Sequence, residues 1–203
     1  NSLNIGAEAY AEMGLSLVGI DCDLGEASVQ IASDSYSIGE LATRRLIDDG
    51  CSRILCLRSN SRMRMPANKR TDAYLDVVEQ AGLSALVREV EFVKPDDEKS
   101  AVVAKILDEN PDIDGIFAGD DTMAAICLNV MKQRGLSAPG DIKVVGADGA
   151  RRTMTFMPDL TTVRQDIDRI GELAAQSIIA LINGDKPESN IKLPVELIEG
   201  KTA

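Results

Sequence analysis

Short apolar runs alternate with longer amphipathic segments along this chain, and that alternation constrains the fold more than any other feature. The predicted strands lie at residues 15–20, 29–33, 53–57, 87–93, 113–117, 142–146, 160–163 and 195–198; most are apolar runs, whereas 29–33 and 87–93 mix apolar with polar residues. Between most of them, apolar residues recur at helical spacing, at 35–50, 66–80, 96–107, 119–135 and 167–182. Strands that alternate with helices are typical of a parallel sheet with right-handed crossovers. The sequence therefore predicts an α/β fold.

The length and the net charge of the chain limit the functions that it can have. The chain has 203 residues, of which 44% are apolar, enough for one sizeable core or for two small lobes that share strands. Its formal net charge is -11. Binding to nucleic acid depends on neutralising phosphates with Lys and Arg, so this chain is not expected to bind DNA by itself.

Cysteine and histidine usage points away from metal and nucleophilic chemistry. Cys22, Cys51, Cys56 and Cys127 show neither a CxxC motif nor zinc-ligand spacing, which favours a reduced, cytoplasmic protein. The sequence contains no histidine, the commonest general base and metal ligand. No apolar run has the ~20 residues of a membrane helix, and residues 1–20 lack a signal-peptide pattern. We expect no cofactor, no metal and no catalytic residues.

The stretch from Asp141 to Gln165 has the pattern of a ligand-binding edge. A buried strand ends at Gly146, Asp148 follows, and after a loop with two arginines the chain is extended again. Ligands of open parallel sheets bind beyond the carboxyl ends of the strands. Asp148 is either a turn-forming Asp before Gly149 or an acceptor for ligand hydroxyls.

Five other residues are considered for the same edge. Asp120 and Asp121 lie between a strand and a helix; one should cap the helix, and the other would then be free to face a cleft. Arg70 and Arg64 are either solvated arginines or donors to a ligand. Phe92 is either core or a ring that stacks on a ligand at the end of its strand.

Several segments together resemble the effector-binding domain of the lactose-repressor/galactose-repressor (LacI/GalR) family. They are SDSYSIGELATRRLIDDGCSRI (33–54), DGIFAGDDTMAAICLNVMKQRGLSAPGDIKVVGADG (114–149), PDLTTVRQDIDRIGELAAQSIIALING (158–184) and LPVELIEG (193–200). The most specific elements are LTTV-x-Q followed by IG-x-x-A, and the acid pair that opens a helix before Met-Ala. The sequence departs from the pattern at Cys51, where the family commonly has His, and beside Asp148.

The resemblance implies a two-lobed, periplasmic-binding-protein-like (type I) fold of parallel sheets with crossover strands. It implies a small-molecule effector between the lobes, a sugar or related metabolite, and a homodimer. It also implies a transcriptional regulator whose separate helix-turn-helix headpiece binds operator DNA. Residues 1–34 with 158–192 would form an incomplete amino-terminal lobe, and 35–157 with 193–203 the carboxy-terminal lobe. Because the headpiece and the first elements of the family are absent, we expect a fragment of a longer protein.

The resemblance also assigns roles to the candidate residues. Arg70 resembles the family arginine that bonds ligand hydroxyls, and Asp148 resembles its acidic partner. Phe92 resembles the stacking aromatic residue, and Asp120 a polar residue that contacts ligand. Arg64 lies in the variable effector loop.

Two other functions remain open on the sequence. One is a periplasmic sugar-binding protein of a transporter, which shares this architecture. The other is a carboxylate-dependent or metal-dependent α/β enzyme, with a metal at Asp120 and Asp121. The upstream reading frame would separate the first two functions, because a regulator has a helix-turn-helix there and a periplasmic protein a signal peptide.

Overall fold

The computed structural model describes residues 7–22, 24, 28–60, 68–91 and 93–203. These residues form helices and strands in the predicted alternation. In chain order the elements are α1 (Ala7–Glu12), β1 (Val18–Ile20), β2 (Val29–Ser33), α2 (Ser35–Asp48), β3 (Ile54–Asn60), α3 (Asn68–Gln80), β4 (Leu86–Glu91), α4 (Asp96–Glu109), β5 (Gly115–Ala118), α5 (Asp121–Gln133), β6 (Lys143–Asp148), α6 (Arg151–Phe156), β7 (Thr161–Gln165), α7 (Ile167–Ile182), β8 (Asn190–Leu193) and β9 (Val195–Ile198). They divide into two compact units. The larger unit holds the described residues of 35–62, 67–165 and 195–203, and the smaller unit those of 1–34 and 166–194.

The larger unit is built on a six-stranded sheet in the order β4-β3-β5-β6-β7-β9. Every pair is parallel except β7 with β9, which is antiparallel. Helices cover both faces, so the central strands are buried on each side and read as nearly continuous apolar runs. In β3, Leu55 and Leu57 join the core with α4 and α5, whereas Ile54 and Cys56 join the core with α2 and α3. The predicted α/β class is confirmed.

The smaller unit is a three-stranded parallel sheet in the order β1-β2-β8, against which α7 packs. Its buried apolar residues are Val29, Ile31 and Ile170. The prediction of a buried strand at 15–20 is wrong in part. Only Val18–Ile20 forms a strand, and Leu15 and Ile20 are 52% and 49% exposed because β1 has a single strand neighbour in the described sheet.

Two elements went unrecognised in the sequence. The loop predicted after Asp148 contains the six-residue helix α6. The strand β8 has only four residues, half of them polar, so its sequence gives little sign of a strand. We also note that β7 pairs within the six-stranded sheet, although the predicted division placed 158–165 with the other lobe. The lobe boundaries stay a prediction.

Within the ranges given above, no helix is both long enough and apolar enough to cross a bilayer.

Candidate ligand-binding site

Arg70 is a buried arginine at the carboxyl edge of the six-stranded sheet. It lies in the first turn of α3 and is 8% exposed. Its Nη1 donates to the carbonyl oxygen of Gly119 at 2.5 Å, and its Nη2 lies 3.0 Å from Oδ1 of Asp148. Its buried Nε has no hydrogen-bond partner among the residues that the structure describes. The guanidinium is thus held by two hydrogen bonds, while its Nε–H has no partner among the described residues.

A close helix contact holds Arg70 where it is. Gly39 of α2 packs directly against the main chain of Arg70, and a Cβ at position 39 would overlap the Arg70 carbonyl group. Only glycine permits this approach. Sequence reasoning missed Gly39, because a lone glycine in a helical pattern gives no sign of the partner that it contacts.

Asp148 ends β6 and pairs with Arg70 across 78 residues of sequence. Its φ is 111°, a left-handed conformation that is strained for a residue other than glycine and that is found disproportionately at functional sites. Burial raises the pKa of its carboxyl group, and the charge of Arg70 offsets part of that rise. The side chain is 33% exposed, so the carboxylate is still accessible to a ligand.

Gln165 is a third member of this cluster that sequence reasoning did not assign to the site. It ends β7, and its Nε2 donates to Oδ1 of Asp148 at 2.6 Å. The pairing of β6 with β7 sets the two residues side by side. In the sequence, only its place in the LTTV-x-Q segment could have pointed to Gln165. Its hydrogen bond to Asp148 depends on the pairing of β6 with β7, which the sequence does not show.

Asp120 both caps α5 and meets a neighbouring strand. Its Oδ1 accepts from the main-chain N–H of Met123 at 2.8 Å, the bond expected of an N-cap. Its Oδ2 accepts from the hydroxyl of Ser59 in β3 at 3.0 Å. Each oxygen keeps a second lone pair. A ligand contact through Asp120 stays a prediction, and Ser59 joins the polar residues of the edge.

Asp121 corrects one expectation from the sequence. The acid that does not cap the helix was expected to be free to face a cleft, but Asp121 is only 2% exposed. Its Oδ1 accepts from the hydroxyl of Thr162 at 2.6 Å, and its Oδ2 has no hydrogen-bond partner within the described residues. Burial raises its pKa to about 6; the Thr162 hydroxyl opposes that rise, and the charge of Asp148 adds to it.

The raised pKa of Asp121 predicts a pH-dependent stability that asparagine at this position would remove. The folded protein binds this proton more tightly than the unfolded chain does, so stability falls as the pH rises from about 4 to about 6. Between about pH 5 and about pH 7, urea unfolding should show a loss of stability about 1 kcal/mol larger in the wild type than in Asp121→Asn. The control Asp97→Asn, an exposed acid at the start of α4, should keep the wild-type difference. Equal pH dependence in Asp121→Asn and the wild type would contradict the prediction.

Two of the candidate residues, Phe92 and Arg64, lie outside the described residues, so their roles stay predictions. Arg70, Asp148 and Asp120 lie at the same edge of the larger unit, where Arg70 and Asp148 are in direct contact. A search of the described residues found no group of three or more Cys, Asp or Glu side chains able to hold a metal ion.

Comparison with known proteins identifies the family. The periplasmic binding protein-like domain matches residues 43–203. The sucrose operon repressor of Pediococcus pentosaceus is 32% identical over 202 residues, covering 98% of this chain and 62% of that protein. The ribose operon repressor of Halalkalibacterium halodurans is 30% identical over 195 residues, covering 95% of this chain and 58% of that protein. The chain therefore spans about three-fifths of the length of these relatives.

Solved structures agree on the fold. A complex of the transcriptional regulator CelR with cellobiose superposes with a TM-score of 0.86 at 27% identity, over 97% of this chain and 61% of that one. A periplasmic binding protein/LacI transcriptional regulator from Alkaliphilus metalliredigens, complexed with D-xylulofuranose, superposes with a TM-score of 0.85 at 24% identity, over 97% of this chain and 73% of that one. At this identity the likeness supports the fold alone. The chain belongs to the family of periplasmic binding protein-like domains, and its predicted resemblance to the lactose-repressor/galactose-repressor family is confirmed.

Proposed function

We propose that this chain senses a sugar or a related polyhydroxylated metabolite and acts as the effector-binding domain of a LacI-type transcriptional regulator. The observation that carries the proposal is the ion pair of the buried Arg70 with the partly exposed Asp148 at the carboxyl edge of the sheet. The buried Nε of Arg70 has no partner among the described residues, and Asp148 is a partly exposed acceptor. Donors and acceptors held side by side suit the hydroxyl groups of a sugar.

The charges at this edge favour a neutral ligand. The positive charge of Arg70 is already balanced by Asp148, and Asp120 adds a further carboxylate nearby. Recognition of a phosphorylated ligand rests on cations that are free to pair with the phosphate. Among relatives, the names of the sucrose and ribose operon repressors and the cellobiose complex of CelR refer to sugars. We therefore place unphosphorylated sugars first.

We extend the proposal to DNA binding, oligomeric state and location on the basis of the same relatives. We assign operator DNA binding to a helix-turn-helix segment outside these 203 residues, because a net charge of -11 opposes contact with phosphates. Homodimerisation, a cytoplasmic location and the absence of catalysis and of a cofactor are parts of the same proposal. Repressor names among the relatives and the lack of histidine support them.

A thermal-shift experiment tests the proposal. A ligand that binds only the folded state, at about 100 times its Kd, adds about 2.7 kcal/mol to the free energy of unfolding. For a protein of this size that corresponds to a rise in Tm of about 5–10 °C. We expect at least one of sucrose, cellobiose and D-ribose to produce this rise in the wild type and not in Asp148→Ala. A panel of sugars, sugar phosphates and nucleosides that leaves Tm unchanged would count against the proposal.

A further inference from the structure

We infer that Asp121 is a positioning residue: its buried carboxylate fixes the turn that presents Asp148 to the effector, without touching the effector itself. The inference rests on the proposed function for the identity of the ligand. The role of Asp121 in the turn is independent of the proposed function, because the turn can be studied in the protein without ligand.

The carboxylate of Asp121 lies directly against the strand that carries Asp148. Its Oδ1 accepts from Thr162 of β7 at 2.6 Å, and Thr162 is paired in register with Gly146 of β6. A Cβ on Gly146 would stand 2.6 Å from the same oxygen. The missing side chain at position 146 therefore makes room for the acid. Asp121 thus ties α5 to β6 and β7 two residues before Asp148.

The turn that follows β6 has an unusual backbone that needs support from its surroundings. Asp148 has a φ of 111° and Gly149 a φ of 57°. A Cβ on Gly149 would come within 2.6 Å of the Arg164 side chain, so the turn is pressed against β7. Strained conformations of this kind persist only where the surrounding structure over-determines them.

The ionised form of Asp121 favours this turn. The main-chain N–H groups of Gly149 and Ala150 stabilise the charged carboxylate and so work against the rise in its pKa. The geometry points the same way, because the hydrogen bond from Thr162 ties α5 to the paired strands β6 and β7 at the start of this turn and so restricts the main chain at Asp148. Asparagine would keep an acceptor for Thr162 but would turn an N–H₂ group toward these N–H donors.

A purely structural role explains Asp121 less well. A carboxylate that is 2% exposed, with Oδ2 unpaired in the described structure, lowers the stability of the fold at neutral pH. An apolar side chain of similar size would avoid the cost of burying a charge there. The charge is therefore better explained by what it does to the neighbouring turn.

Two measurements on Asp121→Asn and Thr162→Val test the inference, with Thr162→Ser as the conservative variant and Asp97→Asn as the matched control. Hydrogen–deuterium exchange of the peptide covering 148–157 is measured without ligand at about pH 7. We expect exchange to be at least about tenfold faster in the first two variants and near the wild-type rate in the last two. Calorimetric titration with sucrose, cellobiose and D-ribose should show the Kd of the sugar that binds rising about tenfold or more in the same two variants. Tm should stay unchanged or rise in Asp121→Asn, since the ionised acid lowers stability at this pH.

The outcomes separate the inference from the proposed function. Unchanged exchange in both Asp121→Asn and Thr162→Val would overturn the inference. Faster exchange with an unchanged Kd would overturn the link from the turn to the effector. Faster exchange in a protein whose wild type binds none of the three sugars would support the role of Asp121 in the turn and count against the proposed ligand class. If Asp121→Asn does not fold, the inference is tested by comparing exchange in Thr162→Val with exchange in Thr162→Ser. Equal exchange rates in these two variants would then overturn it.

Discussion

Replacing Arg70 with alanine is expected to weaken sugar binding by about 100-fold or more while the protein stays folded. A hydrogen bond from a charged donor to a ligand contributes about 1.5–3 kcal/mol, and the loss of Arg70 also leaves a charge without its ion-pair partner. Here that charge is Asp148, which would keep only the hydrogen bond from Gln165 among its two recorded partners. The Gly119 carbonyl oxygen would lose its donor as well.

Calorimetric titration with the sugar that raises Tm measures this effect. Lys69→Ala is the matched control, since Lys69 is the preceding residue of α3 and its side chain is 67% exposed. We expect that variant to bind within about twofold of the wild type, because exposed ion pairs contribute little. An Arg70→Ala protein that retains wild-type affinity would remove Arg70 from the site.

Replacing Tyr74 with phenylalanine is expected to have the largest effect on stability, about 2–4 kcal/mol. Tyr74 is fully buried; its hydroxyl donates to the carbonyl oxygen of Ile54 at 2.7 Å and accepts from the N–H of Leu86 at 2.8 Å. One hydroxyl thus satisfies main-chain groups of β3 and β4 while its ring packs in the core with α2. Phenylalanine would leave both groups buried without this partner, at about 1–3 kcal/mol each.

Urea unfolding measures this loss, and Tyr36→Phe supplies the same chemical change at the surface. Tyr36 is 36% exposed, and its hydroxyl donates to Asp76. We expect less than about 0.5 kcal/mol for that control, the usual range for surface substitutions. Equal losses in the two variants would show that the Tyr74 hydroxyl does not hold the sheet together.

Much of the larger unit could be predicted from local patterns. The runs at 53–57, 113–117 and 142–146 became β3, β5 and β6 because a strand buried on both faces needs apolar residues at nearly every position. The helices α2, α3, α4 and α5 were visible from the spacing of their buried residues. The smaller unit was harder to predict, since β1 and β8 are short strands with few buried residues.

The residues of the candidate site also differ in whether the sequence could predict them. Arg70 and Asp148 could be proposed from their places after strands and from the resemblance to a family. Ser59 and Gln165 could not, because nothing near them in sequence shows which carboxylate they bind. The two acids at 120 and 121 show the limit most clearly. Adjacent in sequence, one caps a helix at a partly exposed edge and the other is buried against β7.

The sequence by itself determined the alternation of strands and helices, because the periodicity of apolar residues is a local property that burial selects. It also determined the family, through the LTTV-x-Q segment and the acid pair. Only the tertiary structure decided how Arg70 and Asp148 contact each other, that Thr162 meets Asp121 and that Gly39 must be small. Each of these contacts joins residues far apart in the chain, and their hydrogen bonds depend on strand register and helix packing that no local pattern encodes.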